Sequence, residues 1–214
     1  METYANEEER LEALQRWWKE NRQSVVWGVA LGIAVLVGWN MWRENRQATA
    51  EQASVLYQQL LKATETGQSE SAVKLGERIV NQYASTAYAE FSRLFLARLR
   101  AESGDLQGAK KILEDFLSSS RDDSLKTLAT LRLARVMLAA GEIDPALKLL
   151  APYTDRQLGK FAGLYEELRG DLYAAGKRPE EARRAYEKAR ALGESSPFLE
   201  FKLNDLPAAP AAAS

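Results

Sequence analysis

The titratable chemistry of this chain is confined to carboxylates, lysines, arginines and tyrosines, because its 214 residues include no histidine and no cysteine. That removes imidazole bases, thiol nucleophiles, disulfides, Cys/His metal sites and the acylated cysteine of a lipoprotein together. Acids are plentiful, but the twin pairs Glu166-Glu167 and Glu180-Glu181 read as surface and first-turn helix residues rather than a working dyad. No Gly-rich phosphate loop is present, and no hydroxyl has an evident base beside it. An enzyme is therefore not expected, nor a catalytic residue, a cofactor or a metal.

What the charged residues could do is recognise another chain. Arg98 and Arg135 stand 37 residues apart, and Asp171 takes the same position 36 residues further on. Phe91, Leu128 and Leu164 recur with the same offsets. Together they suggest a groove in which an apolar strip runs beside two guanidinium groups, suited to an extended unfolded segment or to a partner's acidic helix. The alternative is that the arginines are solvated or paired with local glutamates and the apolar residues belong to the core, since exposed charge is the default.

These offsets belong to a helical repeat. From Ala48 to about Asp205 the chain is rich in Ala, Leu, Glu, Lys and Arg, with apolar residues at helical spacing and short Gly-centred breaks. Leu96-Ala97-Arg98 leads to Gly104-Asp105, Leu133-Ala134-Arg135 to Gly141-Glu142, and Leu168-Arg169-Gly170 to Gly176-Lys177. After each break a small residue recurs, and with an earlier member the ladder reads Ala72, Ala109, Ala146, Ala182, in steps of 37, 37 and 36. Antiparallel helix pairs stacked in a row need such small residues where neighbouring helices approach. Asp144-Pro145 is expected to supply an N-cap and first helical position, and Pro179-Glu180-Glu181 to open another helix.

The last unit is the most specific. Gly170, Tyr173, Ala182, Tyr186 and Ala189 occupy the glycine, tyrosine, alanine, aromatic and alanine positions of a tetratricopeptide repeat, with Gly176 one place early in the turn. In other units Leu113 and Phe116, or Leu150 and Tyr153, take the aromatic and alanine positions. Pro197 introduces Phe198, Leu199, Phe201 and Leu203, expected to form a terminal capping helix. The fold class is thus all-α: an N-terminal transmembrane helix followed by a tetratricopeptide-like solenoid of about four helix pairs plus a cap.

The membrane helix is read from Gln23 to Trp42, twenty residues without a charge between Arg22 and Arg43. At about 1.5 Å per residue that spans the hydrocarbon core of a bilayer. Trp17, Trp18, Trp39 and Trp42 lie at or beyond its ends, where indoles meet lipid headgroups, and Trp27 lies inside. The expected domains are a cytoplasmic tail over 1–23, a membrane helix over 24–42, a repeat domain outside over 43–206, and a disordered Pro/Ala tail over 207–214. Arg10, Arg16, Lys19 and Arg22 before the span against Arg43 and Arg46 after it place the N-terminus in the cytoplasm. Ala48-Thr49-Ala50 has the form of a signal cleavage site. The long acidic n-region, the length of the apolar stretch and the intervening Arg43-Glu44-Asn45-Arg46 favour a retained anchor. Gly28 and Gly32, then Ala34 and Gly38, have the four-residue small-small spacing that allows helices to pack in lipid, although Gly and Ala are common in membrane helices anyway. After the span, 25 basic residues stand against 24 acidic ones, so no basic field would draw the domain to nucleic acid.

A short tail, one tryptophan-bracketed helix and four loose repeats make an uncommon combination. METYANEEERLEALQRWWKEN, the GWNMW exit, and Asp123-Ser124-Leu125-Lys126 leading into LRLARVMLAAGEIDPALKLL resemble the YfgM-type ancillary subunits of the bacterial Sec translocon over nearly the whole chain. The resemblance implies a single-pass inner-membrane protein with a periplasmic repeat domain. It implies as partners the Sec translocon, a membrane-anchored periplasmic chaperone of the peptidyl-prolyl isomerase class and the translocating proteins passed to such chaperones. It also implies a link between the cytoplasmic tail and a stress response regulator. An envelope scaffold for cell-wall or division machinery, and a regulator acting chiefly through residues 1–23, are the competing readings.

Overall fold

The computed structural model describes residues 2–193 and 196–207, with the side chains of 2–9 and 13 left aside. Apart from Pro207, the expected Pro/Ala tail lies outside the described residues. Among those residues every regular element is helical. The chain divides into two compact units, Met1–Glu51 and Gln52–Ser214.

The first unit consists of most of helix α1, assigned over Glu2–Glu65. Its apolar side chains are exposed on every side: Trp27 and Leu31 at 68%, Leu36 at 66%, Trp39 at 61%. A helix apolar all round must be covered by a core or by lipid, and no residue of its apolar window is buried. Among the described residues α1 alone is long and apolar enough to cross a membrane.

The second unit holds the end of α1 with α2 (Ser69–Gln82), then α3 (Ala87–Glu102) with α4 (Leu106–Ser119) and α5 (Asp123–Ala139) with α6 (Ile143–Leu150). After these come α8 (Ala162–Ala175) with α9 (Pro179–Leu192), and a final α10 (Leu199–Asp205). The four pairs and the cap agree with the repeat spacing. A short α7 (Asp155–Leu158) and a 3-10 turn over Gly159–Phe161 are inserted between α6 and α8, which the repeat spacing does not foretell.

Each pair turns in the same way. The N–H of Gly104 donates to Ala101 at 3.0 Å and that of Asp105 to Arg100 at 2.9 Å, while Gly104 has φ +85°. Gly141 and Glu142 repeat this on Leu138 and Met137, as do Gly67 and Gln68 on Thr64 and Ala63. Such a paired closure needs a left-handed residue just past the helix. In the last pair that residue is Lys177, at φ +57°, bonded to Ala174, while Arg178 bonds to Tyr173. Gly176, one place early, has φ −77° and ends α8 in an ordinary conformation.

The alanine ladder is the inside of the stack: Ala72, Ala109, Ala146 and Ala182 are each 0% exposed. A continuous core runs from Leu94 and Ala97 through Leu113, Phe116, Leu131 and Leu150 to Tyr165 and Leu172. Gly170 stands where earlier units have Ala97 and Ala134, and it lets Tyr186 approach so closely that a Cβ there would lie 2.3 Å from the ring. At α6 the helix begins earlier than the Asp144-Pro145 reading expects. Its N-cap is Glu142, with Pro145 still inside the first turn, where a missing N–H breaks no helical bond. Pro179 opens α9 at its first position, with Glu180 and Glu181 in the first turn. The cap buries Leu199 and Leu203 against Ala182, Tyr186 and Ala189, while Phe198 and Phe201 face outward.

Candidate functional site

The first helices α3 and α5 of adjacent pairs leave a groove of about 260 Å³ between them. Ala97, Ala101, Leu113 and Val136 give it an apolar lining, and Arg98, Arg132, Arg135 and Glu102 surround that lining with charge. Ala97 occupies the close-packing position that Ala134 and Gly170 hold in later units. The Arg98 Nε lies 2.6 Å from Glu102 Oε1, one turn on along α3, with both side chains about half exposed. Its guanidinium sits 5.8 Å from the centre of the Phe95 ring. Arg135 is exposed and has no ion pair among the described residues.

Arg132 was not foreseen. It occupies the repeat position held by Phe95 one unit earlier and Leu168 one unit later, so its register reads as core. Its stem follows that register, and its Nη1 donates across to the Leu94 carbonyl on α3 at 3.0 Å. Burial, and then the like charges of Arg98 and Arg135, lower its pKa from the usual arginine value. A cation where the units on either side have Phe95 and Leu168 is the signal that could have drawn attention to it.

Next to the arginines lies an aromatic strip. Tyr57 of α1 packs on Phe91 at 6.1 Å and edge-on against Phe95 at 6.4 Å, while Tyr88 meets Phe91 at 6.5 Å. Phe91 is 37% exposed. Leu128 and Leu164 are half-buried and pack against the central core. Arg98 and Arg135 therefore share one groove, whereas Asp171 does not line it. The Asp171 carboxylate accepts from Tyr186 Oη and from Lys202 Nζ, each at 2.8 Å.

Glu166 and Glu167 are not surface residues: they are 5% and 4% exposed. Both project from α8 into its contacts with later elements, where cations wait for them. Glu166 Oε1 is 3.1 Å from Arg169 and 2.8 Å from Lys188. Glu167 accepts from the Ser196 N–H at 2.6 Å, from the Ser196 hydroxyl and from Lys202 at 2.8 Å. Burial pushes the Glu167 carboxyl up, but these hydrogen bonds outweigh burial and hold it below the ordinary value. Every one of these groups is matched within the fold, so the cluster ties helices together.

Gly28, Gly32, Ala34 and Gly38 all lie exposed on α1, and a Cβ at any of the three glycines would meet nothing within 4 Å. At about 100° per residue, the Gly28/Gly32 and Ala34/Gly38 pairs form two small-residue ridges about 120° apart around the helix. Neither has a partner within the described chain.

Residues 15–208 match the family described as tetratricopeptide repeat-like domain. The chain belongs to that family. Within the tetratricopeptide-like group it is similar to the ancillary SecYEG translocon subunit of Escherichia coli (strain K12), 32% identical over 110 residues, which are 50% of this chain and 53% of that protein. The Haemophilus influenzae protein of the same name is 32% identical over 105 residues, 49% of this chain and 50% of its own. The chain thus spans about half the length of the curated relatives it matches. In fold it is similar to MamA 41-end from Desulfovibrio magneticus RS-1, with TM-score 0.58, 16% identity, and coverage of 72% of this chain and 83% of that one. A tetratricopeptide-like scaffold of this kind is a protein-interaction module and not an enzyme.

Proposed function

We propose that this protein is a membrane-tethered interaction module of protein export. Residues 1–23 lie in the cytoplasm, residues 24–42 anchor the chain in the bacterial inner membrane, and the repeat domain over 43–206 works in the periplasm. It associates there with the Sec translocon and with a membrane-anchored chaperone of the peptidyl-prolyl isomerase class, and it helps pass emerging chains onward. The observation that carries this reading is the pairing, in one chain, of a fully exposed apolar helix with a tetratricopeptide-like domain similar to two ancillary translocon subunits. The tether adds function to a module without chemistry of its own, because it holds the module near any membrane partner and raises their effective concentration.

The test is recovery of the tagged full-length protein from mild detergent extracts of its own host, with the translocon and the chaperone quantified by mass spectrometry. Protease added to spheroplasts should remove the repeat domain and leave the N-terminal tail protected. Deleting residues 1–20 should leave translocon recovery unchanged. No enrichment of translocon subunits over an unrelated single-pass protein would refute the reading, and loss of recovery on deleting the tail would move the activity to the cytoplasmic side.

A further inference from the structure

The groove between α3 and α5 brings three guanidiniums together against their mutual repulsion. Arg98 is matched by Glu102, an exposed pair one helical turn apart of the kind that exchanges readily with other partners. Arg135 has no carboxylate among the described residues, and Arg132 gives one donor to the Leu94 carbonyl. An arginine carries five donors in a planar fork, so Arg132 keeps others available at the groove. The fold itself asks for no cation at this register, since Phe95 and Leu168 fill the equivalent positions in the units on either side. Beneath the charges the lining is apolar and narrow, and beside them Phe95, Phe91 and Tyr57 continue the surface as an aromatic strip. The arrangement complements a negatively charged, extended chain that also carries apolar side chains.

We propose that Arg132 and Arg135, with Arg98 released from Glu102, bind a carboxylate of an extended acidic segment of another polypeptide, whose neighbouring aliphatic side chain rests on Ala97, Ala101, Leu113 and Val136. This rests on the reading of the chain as an export interaction module and names the chemistry of what its repeat face takes. The planar guanidinium fork matches a carboxylate in two hydrogen bonds, which a lysine-lined groove would not do. The apolar lining selects segments in which acidic and aliphatic residues alternate over uniformly acidic ones. A bound carboxylate would also relieve the repulsion that Arg98 and Arg135 add to the burial of Arg132.

The experiment uses the full-length protein in nanodiscs of phosphatidylcholine or of phosphatidylglycerol, and fluorescence anisotropy of short fluorescein-labelled peptides. One probe alternates Glu and Leu, a second has Gln for each Glu, and a third has Lys. The Glu peptide should bind at least about tenfold tighter than the Gln peptide, the Lys peptide more weakly still, and added salt should narrow the gap. Arg132→Gln and Arg135→Gln should each cost about tenfold on the Glu peptide, and Arg121→Gln on the α4–α5 connection should cost nothing. Should Arg132→Gln unfold, the double variant Arg98→Gln with Arg135→Gln, both at exposed positions, carries the same expectation. Equal binding of the Glu and Gln peptides, or full binding by the arginine variants, overturns the inference. So does loss of peptide binding in phosphatidylglycerol discs alone, which would make lipid headgroups the occupant. Translocon recovery is measured on the same variants. Recovery without peptide selectivity removes only the groove inference, and peptide selectivity without recovery removes only the translocon reading.

Discussion

The Lys202 ammonium lies 2.8 Å from the Glu167 carboxylate, fastening the capping helix α10 to the buried side of α8, 35 residues earlier in the chain. Glu167 is 4% exposed, so its charge is held in the protein by that ammonium and by Ser196. Lys202 also reaches Asp171, which in turn accepts from Tyr186 of α9. One lysine thereby couples the last three helices of the solenoid.

Removing one partner should therefore cost more than removing both. Lys202→Met leaves a buried carboxylate without its cation and should destabilise the C-terminal helices by about 3 kcal/mol, whereas Lys202→Met with Glu167→Met should recover a large part of that. Denaturant unfolding of the two single variants and the double variant measures the coupling. Additive losses would mean that the pair contributes nothing of its own.

The same cluster sets a pH window. The Glu167 pKa is depressed in the folded protein, so its contribution is complete above the unfolded carboxylate value of about 4.3 and is lost as pH falls through the lower folded value. The Lys202 pKa, lowered by burial but raised further by the hydrogen bonds Lys202 donates to Asp171 and Glu167, ends above the usual value. Its contribution is complete below about 10.4 and is lost as pH rises beyond that. Amide exchange, corrected for intrinsic rate, should show constant protection of α10 between these limits and local opening first below about pH 4. Uniform loss across α3–α10 would place acid sensitivity elsewhere.

Lys177 occupies the left-handed turn position that Gly67, Gly104 and Gly141 hold in the other pairs. Its side chain is exposed, so Lys177→Gly removes a steric penalty and no contact. A gain of about 1 kcal/mol is expected from chemical denaturation. A loss would show that the side chain contributes more than the backbone conformation costs.

Gly170→Ala acts in the opposite direction. The added methyl would meet the Tyr186 ring carbons at 2.3 Å, where α8 faces α9. The neighbouring helices must part, at a cost of about 1–3 kcal/mol. A melting temperature equal to that of the parent would mean that α9 shifts without loss.

On α1, Gly28→Leu with Gly32→Leu fills one small-residue ridge that has no partner in this chain. Co-purification of membrane partners should fall while the unfolding of the repeat domain is unchanged. Unaltered recovery would leave the Ala34/Gly38 ridge, or no ridge at all, as the packing face.

Much of this architecture could be read from the residues in order. The twenty-residue gap in charge, the glycine breaks and the alanine ladder are patterns among near neighbours, and helix formation depends on near neighbours. Burial of Ala72, Ala109, Ala146 and Ala182 followed from their period, as did the four pairs, and the cap followed from Pro197 and the apolar residues after it. The tertiary structure decided which charges meet. Glu166 and Glu167 look like any solvated helical acids until α9 and α10 bring Lys188 and Lys202 to them from 22 and 35 residues away. Arg132 sits at a core register, and only the stacking of the helices brings its head to the Leu94 carbonyl of α3 and into the groove beside Arg98 and Arg135. Period and composition determine which face of a helix is buried. Pairing between side chains on different helices depends on distances that exist only once the stack has formed, and that is why the groove's third arginine came from the fold.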